Sequence, residues 1–317
     1  MTLAGNGRAT PGRRRGATLR VAGRRGRLEA MAADTGLFGP DTVTWRVHAD
    51  PVMGLGGLRA LLLQALHPLT MIGVAQHSDF RRDPWGRLFR TAAYLGVTTY
   101  GTTAEALDAA ARVRHIHRHV RGREPGSGLD YRADDPELLL WVHCSLVDSL
   151  LTTYRRCGGR LRPGDGDAYV AEQVRMAPLV GLDPDDVPAG EGELRAYFRQ
   201  VRPQLRATAE ARRAAAFVLT PPMPGWVALL TPARPAWAGT AGLALAMLPR
   251  WARRLYGLPG LVPTDPAVSV AGRALRRTLL ALPPDVRHGP HYRAALDRLR
   301  ADPPALRRLA ALPSRPG

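Results

Sequence analysis

Lysine is absent from this chain of 317 residues, so all 45 of its basic residues are arginines. The net charge of +18 would by itself favour a polyanionic partner. The exclusion of one residue type, in a chain rich in Ala, Gly and Pro, instead indicates a biased genomic base composition. Much of the excess charge lies in residues 1–30, a Gly/Arg-rich segment for which we predict a disordered tail. The alternative interpretation of that tail is an arm that binds nucleic acid or a membrane surface.

Cysteines and long apolar runs are also scarce. Cys144 and Cys157 are the only two cysteines and form neither a disulfide framework nor a zinc motif, so we expect a cytoplasmic protein with reduced thiols. No apolar stretch follows the paired arginines of the tail, which argues against a signal peptide. The nearest candidate for a membrane span, residues 226–258, is interrupted by Arg234 and the prolines around it. Its basic and aromatic end leaves peripheral membrane contact open.

Helical patterns dominate the rest of the chain. Asp83 and Asp135 each precede a proline, which is typical of a helix start, and Thr103 is a candidate N-cap. Strand-like alternation is nearly absent, and residues 42–48 ("TVTWRVH") are the only weak strand candidate. We therefore predict an all-α fold, with residues 31–312 in a single multi-helix domain.

The stretch "VRHIHRHV" places three histidines on alternate residues of a predicted helix. Because an α-helix advances about 100° per residue, His117 falls on the apolar stripe, and His115 and His119 fall on the opposite, solvated face. His115 and His119 could together hold an exposed zinc or nickel ion, but no local carboxylate or cysteine completes such a site. His117 is either a hydrogen-bonded core residue or an axial ligand to a large flat cofactor, with Arg114 pairing an acidic group on its rim.

A second polar cluster lies in "RLFRT", where Arg87, Arg90 and Thr91 share one side of a predicted helix. These side chains either form a solvated edge or face inward to meet anions. His143 has the pattern of a core histidine with a partner, and Cys144 lacks the sequence surroundings of a haem thiolate.

Four motifs in this order resemble the MpaB/rubber oxygenase catalytic-domain family: "DPVMGLGGLRALLLQALHP", "HSDFRRDPWGRLFRT", "VRHIHRHVRG" and "YRADDPELLLWVHCSLVDSLL". The resemblance covers roughly residues 44–256 and implies an all-α fold around one haem b. It makes His117 the proximal iron ligand beside Arg114. It also places Arg87, Arg90 and Thr91 on the family's Arg-x-x-Lys-Thr element, where Arg90 replaces the lysine. A glutamate base like that of the rubber enzymes has no counterpart here, so alkene cleavage is not implied.

The resulting prediction is a haem-dependent oxygenase or oxidoreductase that acts on dioxygen and a small apolar or lipid-like substrate. His117 holds the iron, Arg114 and Arg87 anchor the propionates, and Arg90 and Thr91 line the distal side. We expect no specific nucleic-acid partner. Two alternatives remain: a helical protein that binds haem without turnover, and a basic helical protein that binds nucleic acid or anionic membranes without a cofactor.

Overall fold

Helices make up most of the regular structure, which confirms the all-α prediction. The computed structural model describes residues 34–78, 82–258 and 264–301, so the predicted disordered tail (residues 1–30) lies outside the described residues. The α-helices in chain order are α1 (Val43–His48), α2 (Met53–Gln64), α3 (Pro68–His77), α4 (Pro84–Tyr100), α5 (Thr103–His119), α6 (Pro136–Arg156), α7 (Asp165–Gln173), α8 (Ala177–Val180), α9 (Glu191–Val201), α10 (Ala209–Leu219), α11 (Gly225–Leu230), α12 (Ala233–Ala246), α13 (Arg250–Leu255), α14 (Thr264–Leu280), α15 (Pro284–Arg287) and α16 (Pro290–Ala301).

Side-chain caps set where three of the long helices begin. Asp83 caps α4 by accepting the backbone N–H of Gly86, and Asp135 caps α6, so both predicted Asp-Pro starts are confirmed. Thr102, one residue before the predicted Thr103, caps α5. The Thr102 hydroxyl accepts the Glu105 N–H while the Glu105 carboxylate accepts the Thr102 N–H, which satisfies two backbone donors at once.

The weak strand prediction for residues 42–48 is wrong, because these residues form α1. Thr42 is its N-cap, and the Glu172 carboxylate, from α7, accepts the backbone N–H groups of Val43 (3.0 Å) and Thr44 (2.7 Å). This contact from α7 satisfies two backbone N–H groups at the start of α1, which have no partner within that helix. The structure also contains an unpredicted two-stranded antiparallel hairpin, β1 (Arg121–Arg123) with β2 (Asp130–Arg132).

The main core forms where α2 packs along α6 and α12. Leu62, Leu63, Trp141 and Leu150 are almost fully buried in this core. None of the described helices is by itself long and apolar enough to cross a membrane; α2 and α3 pass that test only as a pair bent by 105°. Residues 226–258 form three short helices, α11 to α13, rather than one long apolar helix.

Two neighbouring glycines of α2 provide a matched test of this packing. A Cβ at Gly56 would lie 2.9 Å from Leu150 Cδ2 and 3.4 Å from its Cα, whereas a Cβ at Gly57 meets nothing within 4 Å. We expect Gly57→Ala to raise the free energy of unfolding by about 0.5–1 kcal/mol through helix propensity. Gly56→Ala should give no such gain, and Gly56→Val should lower it by about 1–3 kcal/mol through overpacking. Urea unfolding checks this, and equal effects at both positions would contradict it.

Candidate functional site

The hairpin of α4 and α5 is packed tightly at one end only. The buried residues of α4 are Thr98, Thr99 and Tyr100 in its last turn. Those of α5 are Ala106, Ala109 and Ala110 in its first half. Arg87 precedes the end of α4 by 13 residues and His117 follows the start of α5 by 14, so each lies about 20 Å along its helix from the connection. The start of α4 and the end of α5 therefore form an under-packed region, which we call the open end of the hairpin.

His117 is a half-buried imidazole at the open end. Its Nδ1 atom is buried and has no hydrogen-bond partner among the described residues. Burial lowers the pKa of His117, and the charge of Asp134 raises it by less, so the ring is neutral near pH 7 and has a free nitrogen lone pair. The sequence reading of a core histidine expected a hydrogen-bond partner, and Nδ1 has none.

The two flanking histidines lie on the wet side of α5, as predicted. His115 and His119 are both exposed, with ring centroids 4.7 Å apart, and His119 Nδ1 lies 2.7 Å from the His115 carbonyl oxygen. Within the described ranges, no three His, Cys, Asp or Glu side chains lie together in a way that could hold a metal ion. A cofactor that brings most of its own metal ligands needs only one further ligand from the protein, and the free ring nitrogen of His117 could provide it.

Arg114 joins α5 to α8. Its Nη1 donates to the backbone carbonyls of Leu179 (2.8 Å) and Pro178 (3.3 Å). A guanidinium has five N–H donors, so these contacts leave donors for an acidic group. The predicted pairing of Arg114 with such a group stays a prediction.

The "RLFRT" cluster is divided by the fold. Arg87 is half-buried and donates to the Ser78 hydroxyl, and burial lowers its pKa, with a further contribution from the charge of Arg90. The Arg90 side chain is 66% exposed and pairs with Asp83 at 3.1 Å. Thr91 is also exposed, and its hydroxyl donates to the Arg87 carbonyl. Arg87 is therefore partly turned inward, whereas Arg90 and Thr91 lie on the solvated edge of α4, where Asp83 holds Arg90. The roles of these three residues at a cofactor stay predictions.

Three more polar side chains have buried atoms without a hydrogen-bond partner among the described residues: Tyr94 Oη, His67 Nδ1 and Thr70 Oγ1. Burial raises the pKa of Tyr94, and the charge of Arg114 lowers it by less, which places Tyr94 within electrostatic reach of α5. Sequence reasoning did not assign Tyr94 to the site. The signal was available, because Tyr94 follows Arg87 by seven residues and so lies on the same face of α4.

An apolar cluster connects α3, the end of α5 and the start of α6. Leu69 and Val120 pack against the buried group that contains Leu138. In keeping with this, the adjacent carboxylates Asp134 and Asp135 act electrostatically on His117 and His67 respectively. Buried polar atoms without a partner among the described residues thus occur on α3, α4 and α5, and such atoms are expected where a region receives a further group.

Two residues of α6 fit other roles. His143 is half-buried, burial lowers its pKa to about 4, and neither ring nitrogen has a hydrogen-bond partner among the described residues. Cys144 is fully buried, and burial raises the pKa of its thiol far above the usual range. A Cys144 thiolate is therefore strongly disfavoured, in agreement with the sequence reading.

Buried neutral histidines should make the stability of the chain pH-dependent. Burial lowers the pKa of His143 to about 4 and that of His48 to about 3, from 6.5. Between these values the unfolded chain binds more protons than the folded chain, so stability is complete above pH 6.5 and falls as the pH drops toward 4. His143→Gln should reduce that loss by about 3 kcal/mol between pH 6.5 and 4. Urea unfolding at several pH values checks this, and an unchanged slope in the variant would contradict it.

Comparison with known proteins places this helical fold in a family of oxygenase catalytic domains. Residues 45–282 match the family described as ER-bound oxygenase mpaB/B'/rubber oxygenase, catalytic domain. The match covers most of the chain, so the chain belongs to this family, and the resemblance seen in the motifs is confirmed. Its family is one of oxygenase catalytic domains, which supports an enzyme.

Individual relatives agree with this assignment. Uncharacterized proteins of Mycobacterium bovis and Mycobacterium tuberculosis are each 29% identical to the chain over 109 residues, which is 33% of this chain and 42% of theirs. The match therefore spans less than half the length of these relatives. The structure of a latex clearing protein in its closed state superposes with a TM-score of 0.50 at 17% identity, covering 94% of this chain and 82% of that one. This likeness shows that the two chains share a fold.

Proposed function

We propose that this chain is a haem b-dependent oxygenase that acts on a small apolar or lipid-like substrate with dioxygen. The observation that carries the proposal is His117, a neutral, half-buried imidazole with a partnerless nitrogen at the under-packed open end of the hairpin. Membership of an oxygenase family supports the reaction class. The cytoplasmic location and the peripheral membrane contact expected from the sequence stay predictions.

The residues present fit a haem. His117 would hold the iron through one ring nitrogen, and burial keeps that ring unprotonated and able to bind. Arg87 is half-buried with a lowered pKa, so an acidic propionate would offset the cost of its burial. Arg114 has donors left for the second propionate. When bound, the haem supplies the oxidation chemistry and the chain supplies position and surroundings.

Arg90 and Thr91 would line the side of the cofactor site opposite His117. Arg90 lies close enough to Arg87 for its charge to act on that group, and Thr91 is tied to the Arg87 carbonyl. In this role they place a permanent cation and a hydroxyl where negative charge develops. Arg90 would have to leave Asp83, and an exposed ion pair of this kind contributes little to stability.

Exposed apolar side chains support an apolar substrate. Phe89 on α4 is 65% exposed and Ile116 on α5 is 59% exposed, one beside Arg90 and the other beside His117 in sequence. Large apolar groups exposed next to a site favour apolar ligands. The proposed substrate class is therefore a small apolar or lipid-like molecule.

Oxygen uptake by the haem-loaded chain tests the proposal. We expect uptake that depends on one member of a panel of apolar alkenes, polyenes and lipids, and a fall of about 10²-fold in kcat for Arg90→Gln, since it removes a charge-stabilising donor. Arg82→Gln, an exposed arginine outside α4, is the matched control and should retain full activity. A haem-loaded chain that consumes no oxygen with any compound would contradict the oxygenase assignment and favour a haem carrier.

A further inference from the structure

A cavity of about 850 Å³ lies away from His117. It is lined by the second half of α6 together with parts of α2, α9, α13, α14 and the turn between α12 and α13. No residue of α3, α4 or α5 lines it. Its volume is in the range of cavities that hold drug-sized ligands. The proposed oxygenase function makes no use of this cavity.

The charge of the cavity is strongly positive. Eight arginines and two aspartates line it. Asp148 pairs with the buried Arg59 at 2.8 Å. Asp265 is shared by three arginines, with N–O distances of 2.8 Å to Arg253, 3.5 Å to Arg250 and 3.8 Å to Arg156. The two carboxylates are therefore already committed to four of the eight guanidinium groups.

The remaining cations lack acidic partners within the cavity. Arg195 pairs with Glu191 at 3.6 Å, and Glu191 does not line the cavity. Arg199, Arg202 and Arg273 form no ion pair with any carboxylate of the described residues, and Arg202 instead lies 5.1 Å from the ring centre of Trp251. Three fixed cations without counter-charge leave this cavity able to bind an anion.

Arg250 indicates where acceptor atoms are missing. Its Nε and Nη2 atoms are buried and have no hydrogen-bond partner in the part of the chain that the structure describes, although Nε lies 3.5 Å from Asp265 Oδ2. Buried N–H groups without acceptors are costly and rare. Burial lowers the pKa of Arg156, and the positive charges of Arg59 and Arg253 lower it further. The negative charge of Asp265 acts in the opposite direction. A bound oxyanion would relieve both the missing acceptors and the crowding of cations.

The same cavity has an apolar floor. Met247 and Leu248 are 1% exposed and Phe198 is 7% exposed, and all three line the cavity with Trp251. Val270, 61% exposed, lies at its edge. An inorganic ion would leave the apolar surface of Val270 and of the half-buried Trp251 in contact with water. A ligand with an apolar body would cover it, at about 25 cal/mol per Å² of apolar area removed from water.

We propose that this cavity binds an amphiphilic phosphate. Arg199, Arg202, Arg250 and Arg273 hold the phosphate head, and the apolar body lies on Trp251 and Val270. Phosphate matches the site because it carries up to two charges and three acceptor oxygens that guanidinium forks bind in pairs. The ligand is either a free phosphomonoester with an apolar tail or the head and upper chain of an anionic phospholipid.

Calorimetric titration of the full chain tests this site with n-decyl phosphate below its aggregation concentration. We expect one saturable site per chain, affinity for inorganic phosphate that is weaker by at least about tenfold, and no binding of n-decanol. The double variant Arg199→Gln/Arg273→Gln should lose at least about tenfold in affinity. Neither arginine has an ion-pair partner to lose, and an unchanged thermal unfolding midpoint verifies the fold.

The control variant is Arg277→Gln, an exposed arginine of α14 that does not line the cavity and should leave the affinity unchanged. Equal affinity for decyl phosphate in the wild type and the double variant would overturn the proposal, as would equal affinity for decyl and inorganic phosphate. Co-sedimentation with phosphatidic acid vesicles, lost in the double variant and competed by decyl phosphate, would identify a membrane lipid as the source. Titration binding without co-sedimentation would identify a free phosphomonoester.

Discussion

Alanine at position 117 should lower the haem affinity of the chain by at least roughly 100-fold and leave the fold intact. Loss of an outer contact to a metal ligand typically costs about 10- to 100-fold, so loss of the ligand itself should cost more. The fold should survive because His117 is only half-buried and its Nδ1 makes no hydrogen bond that the substitution would break. Absorbance titration of the haem-free variant with haemin measures the affinity, and circular dichroism measures the fold.

Matched controls for this result lie on the same helix. His115→Ala and His119→Ala remove exposed imidazoles two residues away on either side and should bind haem like the wild type. Added imidazole should restore part of the spectrum of His117→Ala by entering the space left by the ring. Full haem affinity in His117→Ala would contradict the assignment, and His143 or His67 would become the axial ligand to test.

Replacing Arg59 by methionine should cause the largest loss of stability, about 3 kcal/mol or more. The Arg59 side chain is 2% exposed and joins three parts of the core. Its guanidinium donates to Met247 O (3.1 Å) and Ser149 Oγ (2.6 Å) and pairs with Asp148 (2.8 Å). Removing one partner of a buried ion pair costs about 3–5 kcal/mol because the other charge stays unpaired. The side chain of Asp148 is 28% exposed, so water screens part of this cost.

A double-mutant cycle separates the ion pair from the packing. Asp148→Leu in the Arg59→Met background should recover much of the lost stability, since it removes the unpaired carboxylate. Urea unfolding of the wild type, both single variants and the double variant gives the coupling energy. A loss below about 1 kcal/mol for Arg59→Met would mean that the arginine is dispensable for the core.

Local sequence patterns predicted the helices well. They failed where contacts from residues distant in sequence determine the local structure. The starts at Asp83 and Asp135 depend on a carboxylate and a proline next to it in sequence, so both could be predicted. Residues 42–48 form a helix because Glu172 reaches their backbone from 128 residues away, and no local pattern contains that contact. The β1–β2 hairpin was missed because its strands are only three residues long and carry no alternation that a pattern could reveal.

Helical geometry also placed the site only in part. The period of 3.6 residues correctly separated His117 from His115 and His119. It left open whether Arg90 faces inward or solvent, because a long side chain on the edge of a stripe follows its ion-pair partner, here Asp83. The assignment of haem came from the family resemblance and not from spacing, since a half-buried histidine alone fits several roles.

The arginine excess shows the same limit of sequence reasoning. The composition of the chain indicated a genomic bias. The tail lies outside the described residues, so the structure does not test that interpretation there. The fold nevertheless gathers eight arginines into one cavity from helices that are up to about 200 residues apart in sequence. A tally of charges along the chain cannot reveal such a cluster, because it arises only when α2, α6, α9, α13 and α14 pack together.

The absorption spectrum of the wild-type chain, mixed with haem b and freed of excess haem by gel filtration, tests the central claim most directly. The account predicts a Soret band that co-elutes with the protein at one haem per chain and is absent from His117→Ala treated in the same way. A colourless wild-type chain would contradict the haem assignment, and an equal Soret band in both proteins would contradict the role of His117.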